Sequence, residues 1–216
     1  MAAPLRVRSG IFGSNSYLCP TAVPGECILV DPGLDEKVLD EALATSGLRP
    51  VAVACTHGHF DHVGRAEEYQ RRYDIPVYLH RDDARTASTS NFLMMAFKVP
   101  ARITLPRFDL VDGAGVVRVG EEEVRWVHSP GHTPGSCVIF YDDVAFTGDT
   151  VYRDGIGLVS LPGEDEVELR RSIEKLWKAI PDDTLVCPGH GGSAPFAEIK
   201  RSNLPLRKFL GMEASQ

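Results

Sequence analysis

Residues 56 to 62 read Thr56-His57-Gly58-His59-Phe60-Asp61-His62, four side chains of metal-ligand type within six residues. The run before them, Val51-Ala-Val-Ala-Cys55, is apolar throughout, as in a strand buried on both faces. The stretch behind them, Gly64 to Tyr73, has a helical pattern. A strand, a ligand-bearing loop and a helix therefore follow one another, and loops at strand ends are where folds of this kind hold functional groups. Side chains alternate along an extended segment, so His57 and His59 share a direction while the turn into the helix lets Asp61 and His62 address a neighbouring point. The spacing suits two adjacent metal ions better than one.

Three further candidates each occupy a Gly-rich corner after a strand-like run: His132 in Pro130-Gly-His132-Thr-Pro-Gly, Asp149 in Thr147-Gly-Asp149-Thr, and His190 in Pro188-Gly-His190-Gly. Glycine permits the tight turns that aim a side chain back into a shared pocket. Five of the seven histidines fall in these motifs, and imidazole with carboxylate suits Zn, Fe or Mn. Any one motif alone would be an ordinary turn; all four in this order favour a metal site. His80 and His128 stand outside such corners and are assigned to packing or ligand support. Cys187 ends an apolar run and is read as a buried, inert thiol. Phe92 to Phe97 is either an apolar lid or a core segment, and Lys200, Arg201, Arg207 and Lys208 mark a solvated helix face.

Periodicity places strands at Ser16–Cys19, Cys27–Val30, Val77–Leu79, Val116–Val119, Val124–His128, Ser136–Tyr141, Val144–Thr147 and Thr184–Cys187. Val124, Trp126 and His128 are expected to share a face, and Asp142-Asp143 to turn a hairpin. Helices are expected near Asp35–Thr45, ending at Gly47, near Asp82–Ala87, and from about Asp165 to Ile180 with Ile173, Leu176, Trp177 and Ile180 on one side. Ser88 to Pro106 has no clear pattern. Strands and helices recur in both halves, which fits two sheets face to face with helices outside, an α/β four-layer αββα sandwich.

The chain has 216 residues, 43% hydrophobic and 25% charged, enough for one domain spanning 1–216. No signal-peptide or membrane-spanning run is seen, so a soluble, cytoplasmic protein with no membrane partner is expected. Five scattered cysteines argue for reduced thiols. A net charge of -7, with no basic stripe, disfavours nucleic acid and leaves a small-molecule substrate as the expected partner. Oligomeric state is not legible.

Taken together, the motifs resemble the metallo-β-lactamase superfamily, from Gly10-Ile-Phe-Gly-Ser-Asn-Ser-Tyr17 through Pro188-Gly-His-Gly191 to Lys200-Arg-Ser-Asn203. Within it the chain is most similar to small bacterial glyoxalase II-like proteins, across His132-Thr-Pro-Gly-Ser136, Gly148-Asp-Thr150 and Leu161-Pro-Gly-Glu-Asp165. The resemblance implies the αββα fold and two divalent ions, Zn first and Fe or Mn as alternatives. It also implies that His57, His59 and His132 hold one ion, Asp61, His62 and His190 the other, and Asp149 bridges both. True β-lactamases of the superfamily commonly carry Cys where Asp149 stands. The glyoxalase-like and persulfide dioxygenase relatives often read Gly-Arg-Thr-Asp where this chain has Gly157-Leu-Val-Ser160, and full-length glyoxalase II has a C-terminal helical domain for which 26 residues after His190 leave no room.

The expected activity is hydrolysis of a small acyl thioester by a metal-bridging hydroxide, with Asp61 as the catalytic carboxylate that orients it and shuttles its proton. A lactonase or ester hydrolase, with Tyr152 as a donor to the ester oxygen, is one alternative. A mononuclear iron persulfide dioxygenase using His57, His132 and Asp149 is another, and a metal-binding module without activity is a third.

Overall fold

Alternation along the central strands decides the layering. In the computed structural model, which describes residues 3–212, the first half forms a sheet of β1 (Leu5–Arg8), β2 (Asn15–Pro20), β3 (Glu26–Val30), β4 (Arg49–Ala54), β5 (Val77–His80) and β6 (Phe108–Val111), in that order. The second sheet has β7 (Gly115–Val119), β8 (Glu122–His128), β9 (Cys137–Tyr141), β10 (Val144–Gly148), β11 (Leu185–Pro188) and β12 (Ala194–Pro195), again in sequence order. Cys27 and Leu29 of β3 face an outer helical layer, whereas Ile28 and Val30 face the other sheet. In β9 and β10, Ile139 and Phe146 face the first sheet, and Val138 and Ala145 face the opposite helices. Strands with two buried faces need apolar residues on both, which is why these runs are continuously hydrophobic.

The outer layers are α1 (Glu36–Ser46), α2 (Phe60–Val63), α3 (Ala66–Tyr73) and α4 (Ala84–Ala96) on one side, and α5 (Glu166–Ala179), α6 (Phe196–Ser202) and α7 (Leu204–Phe209) on the other. The αββα arrangement expected from the sequence is the one observed. Helix α1 is capped by Asp35, which accepts from the Val38 amide, and stops at Gly47, whose φ of 68° is left-handed. Asp165 caps α5 through the amides of Val167 and Glu168.

Three differences from the sequence reading have local causes. Helix α4 runs through the stretch left without a pattern, because only Ala87, Ser90 and Met94 are fully buried, Leu93 is partly so, and Phe92 and Met95 are exposed. Strands β1 and β6 are edge strands too short to show a period. The helix expected from Gly64 to Tyr73 begins at Ala66 as α3, and a separate turn, α2, precedes Gly64, which lies so close to its surroundings that a Cβ would stand 2.5 Å from Phe60 O and 2.7 Å from Leu34 Cδ2. Gly64→Ala is therefore expected to lower unfolding stability by about 1–3 kcal/mol, read from denaturant midpoints of the metal-free protein. A cost near zero would show that α2 tolerates displacement. Among the described residues no helix is long and apolar enough to cross a membrane.

Candidate metal centre

All four ligand-bearing motifs leave the C-terminal ends of strands: β4 leads to His57, β8 to His132, β10 to Asp149 and β11 to His190. Backbone bonds stitch the two sheets together at this end. The Asn15 amide donates to Gly189 O (2.7 Å), the Cys137 amide to Thr56 O (2.9 Å), and the Tyr17 hydroxyl to Pro188 O (2.7 Å). Loops that are distant in sequence thereby face one another.

The seven sequence-predicted residues all come together. His59 Nδ1 lies 3.0 Å from His132 Nε2, and His57, His59 and His132 form one compact group while Asp61, His62 and His190 form a second. Asp149 lies between them, 3.6 Å from His132 Nε2, 3.5 Å from His62 Nε2 and 3.4 Å from His190 Nε2. Two donor atoms held about 2.0–2.1 Å from one tetrahedral ion stand about 3.4 Å apart. The spacing is that of ligands sharing ions.

Hydrogen bonds on the far side of the rings fix their tautomers. Thr56 Oγ1 donates to Asp31 Oδ2 (2.7 Å), so it accepts from His57 Nδ1 at 3.1 Å. His62 Nδ1 donates to Asp31 (3.0 Å), and His132 Nδ1 donates to Gly157 O (2.9 Å). Each of these rings then presents an Nε2 lone pair to the cluster. Buried His57 Nε2, His62 Nε2 and Asp149 Oδ1 have no hydrogen-bond partner. Such atoms are costly to leave unmatched, and a divalent cation is the partner this donor set fits. Asp31 also clusters with His57 and His62, but both its oxygens are taken by Thr56 and His62. It orients ligands and is not one.

Burial, then repulsion from His62, holds the His57 imidazole well below its ordinary range, and burial with His132 lowers His59 to about 4. Burial opposes charge on His62 and His190 too. At His62, Asp61 and Asp149 outweigh it and raise the pKa to about 9; at His190, Asp149 and Asp61 raise it to about 10. In the metal-free chain these two rings are thus protonated at neutral pH, and a cation must displace both protons. Metal affinity is expected to rise with pH between 6 and 8, by about tenfold per pH unit for each proton released. Chelator competition at the two pH values checks this; a flat dependence would contradict the assignment of both rings as ligands.

Sequence reasoning did not find Asp83. Its carboxylate is fully buried, accepting from the Gly58 amide (2.6 Å), Thr133 Oγ1 (2.8 Å), the Gly135 amide (2.8 Å) and Thr86 Oγ1 (3.0 Å). It ties the His57–His59 loop, the His132 loop and α4 together. Glu164 was also missed; it accepts from the Val159 and Ser160 amides and shapes the loop under His132. The signal in both cases was an acid just before a helix, which reads locally as a cap.

Beside the cluster lies a cavity of about 380 Å³ lined by Asp61, His190 and Tyr152 and, on its apolar side, by Phe12, Phe60, Leu93, Phe97 and Leu161. The Phe12 ring packs edge-on against Phe60 (5.1 Å) and Phe97 (6.0 Å). The Phe92–Phe97 segment is thus a wall, with Leu93 and Phe97 turned to the cavity and Met94 in the core. Leu158 packs toward the outer helices. Burial and the nearby Asp149 carboxylate push the Tyr152 phenol far up, so it remains a neutral donor.

His80 and His128 lie outside the cluster, stacked on each other at 4.1 Å. Val124 and Trp126 are buried between the sheets, while His128 is only half-buried and bonds through Nε2 to Pro134 O (2.8 Å). Cys187 is buried, and its thiol is raised to about 11 by burial. Lys200 pairs with Asp182 at 2.7 Å.

A family model described as the metallo-beta-lactamase superfamily matches residues 9–190. The chain is 32% identical over 192 residues to a probable metallo-hydrolase, YqgX, of Bacillus subtilis, covering 86% of this chain and 89% of that protein. It is 32% identical over 165 residues to a hydroxyacylglutathione hydrolase of Pectobacterium carotovorum, 76% of this chain and 57% of that one. Among solved structures, the BLEG-1 B3 metallo-beta-lactamase superposes with a TM-score of 0.84 at 29% identity (94% and 99% of the chains). TTHA1623 in a di-iron-bound form gives 0.81 at 31% (93% and 98%).

Proposed function

The chain belongs to the metallo-β-lactamase superfamily, and we propose that it is a metal-dependent hydrolase of small acyl thioesters. The observation that carries this reading is the meeting of two ligand groups at Asp149, directly beside an aromatic-walled cavity. The likeness to a hydroxyacylglutathione hydrolase supports a thioester as the bond cleaved.

His57, His59 and His132 would hold one ion, Asp61, His62 and His190 the other, and Asp149 both. When bound, two divalent cations supply Lewis-acid polarisation of the carbonyl and lower the pKa of water from about 15.7 toward about 7. Zinc is the first candidate, with iron or manganese as alternatives; the di-iron form of one relative keeps iron open.

The chain's own residues perform the remaining tasks. Asp61 lines the cavity, and its Oδ2 faces His190 and His62 at 3.5 and 3.7 Å. From there it orients the attacking water and takes its proton. Tyr152 lines the same cavity, its neutral phenol held by the Asp149 carboxylate. Phe12, Phe60, Phe97 and Leu161 seat the acyl group and exclude bulk water, which strengthens every charge interaction within. Leu158, where related proteins often have arginine, is turned away from the cavity. Glutathione is accordingly not a strict requirement in this reading.

The test is metal analysis of the purified protein followed by assay of one matched panel: acyl thioesters, lactones, a β-lactam and a persulfide. About two metal equivalents per chain and fastest turnover of thioesters are expected. One equivalent with oxygen-dependent persulfide turnover, or lactones and β-lactams outpacing thioesters, would overturn the reading. Among thioesters, rates should change gradually with acyl length, since each methylene in an apolar pocket discriminates by only about 1–3 kcal/mol.

A further inference from the structure

A second cleft of about 470 Å³ opens on the other side of His59 and shares both His59 and Leu93 with the aromatic cavity. The two therefore adjoin at these residues, one on each side of a member of the histidine cluster. Their chemistry differs. The second cleft is bounded by Pro134, Pro162 and Gly163 on one side and by Arg85, Thr89 and Phe92 of α4 on the other. Positions 85, 89 and 92 recur at helical spacing, so one face of α4 forms this wall.

Arg85 is the one lysine or arginine lining either cleft. It enters no ion pair or side-chain hydrogen bond among the described residues, unlike Arg65, Arg72 and Arg81, each paired with a carboxylate. The threonines beside it are engaged: Thr86 Oγ1 donates to Asp83 (3.0 Å) and Thr89 Oγ1 to Thr86 O (2.9 Å). Asp82, also in the cleft, has an oxygen 3.8 Å from His80 Nδ1. Arg85 is thus the available donor for an anionic group, and guanidinium binds carboxylate in a two-pronged fashion.

A thioester has two arms, and the two clefts that adjoin at His59 offer one place for each. We propose that the acyl arm occupies the aromatic cavity and the thiol arm the Arg85 cleft, selecting thiols that carry a carboxylate. Apolar acyl carbons gain from burial against Phe12, Phe60 and Phe97, and an anion gains nothing there. This assignment rests on the thioester reading above and adds to it the class of leaving group.

Its test compares two thioesters of one acyl group, the thiol being N-acetylcysteamine in one and 3-mercaptopropionate in the other. Wild-type protein, metal-loaded, should favour the carboxylate-bearing substrate. Arg85→Gln should lower the ratio of the two kcat/KM values about tenfold, Arg85→Lys should keep part of it, and Arg85→Glu should invert the preference. An unchanged ratio in all three variants, with both thioesters still turned over, overturns the proposal and leaves the thioester reading standing. If wild type hydrolyses neither substrate, both fall.

Discussion

Replacing Asp149 with alanine is expected to reduce bound metal from about two equivalents per chain to one or fewer, and to lower kcat/KM by at least about 10³-fold. The carboxylate is buried and faces His132 with one group and His62 and His190 with the other, at 3.4–3.6 Å. Burial raises its pKa, but the charge of His62 and the hydrogen bond from His190 outweigh this and hold it well below the usual carboxylate range. Alanine removes that charge and the proposed shared ligand together. The control is His128→Ala, whose ring stacks on His80 and touches no member of the cluster; it should keep its metal. Metal content by elemental analysis and turnover of one thioester decide the matter, and similar tolerance of both substitutions would show that the bridge has been misassigned.

Asp83→Ala should destabilise the protein by about 3–5 kcal/mol and weaken metal binding about 10- to 100-fold, although Asp83 touches no metal. Four donors from three segments converge on this one carboxylate. Its loss strands the Gly58 and Gly135 amides and the Thr86 and Thr133 hydroxyls in a buried site. The loops bearing His57, His59 and His132 are released from α4 at the same time. Asp83→Asn retains one acceptor oxygen but turns an N–H toward donors, so it should fall between the two. Denaturant unfolding of the metal-free protein, with chelator competition on the same samples, separates the stability term from the metal term. A cost below about 1 kcal/mol would mean that these loops hold their shape without the clamp.

Much of the site was legible before the fold. Each of the seven cluster residues sits in a short motif at a strand end; one such motif is an ordinary turn, and it was the four together that pointed to a shared site. The layering was legible for a similar reason, since strands buried on both faces must be apolar throughout, and α1 and α5 carry their own caps. What local pattern could not convey is which loops meet. Asp31 reaches His62 from 31 residues away, Asp83 reaches Thr133 across 50, and Asn15 reaches Pro188 across 173. Phe12, in a turn with a φ of 59°, becomes the cavity's aromatic edge only because Phe60 and Phe97 are folded against it. The sequence alone determined the ligand types, the strand ends that carry them and the two-faced burial of the sheets, because backbone periodicity and turn chemistry act over a few residues. Tertiary structure decided the pairing of His62 with Asp31, the clamping of two loops by Asp83, the course of α4 and the meeting of two clefts at His59. Those depend on how two sheets stack, which is set by burial summed over the whole chain and written in no single segment of it.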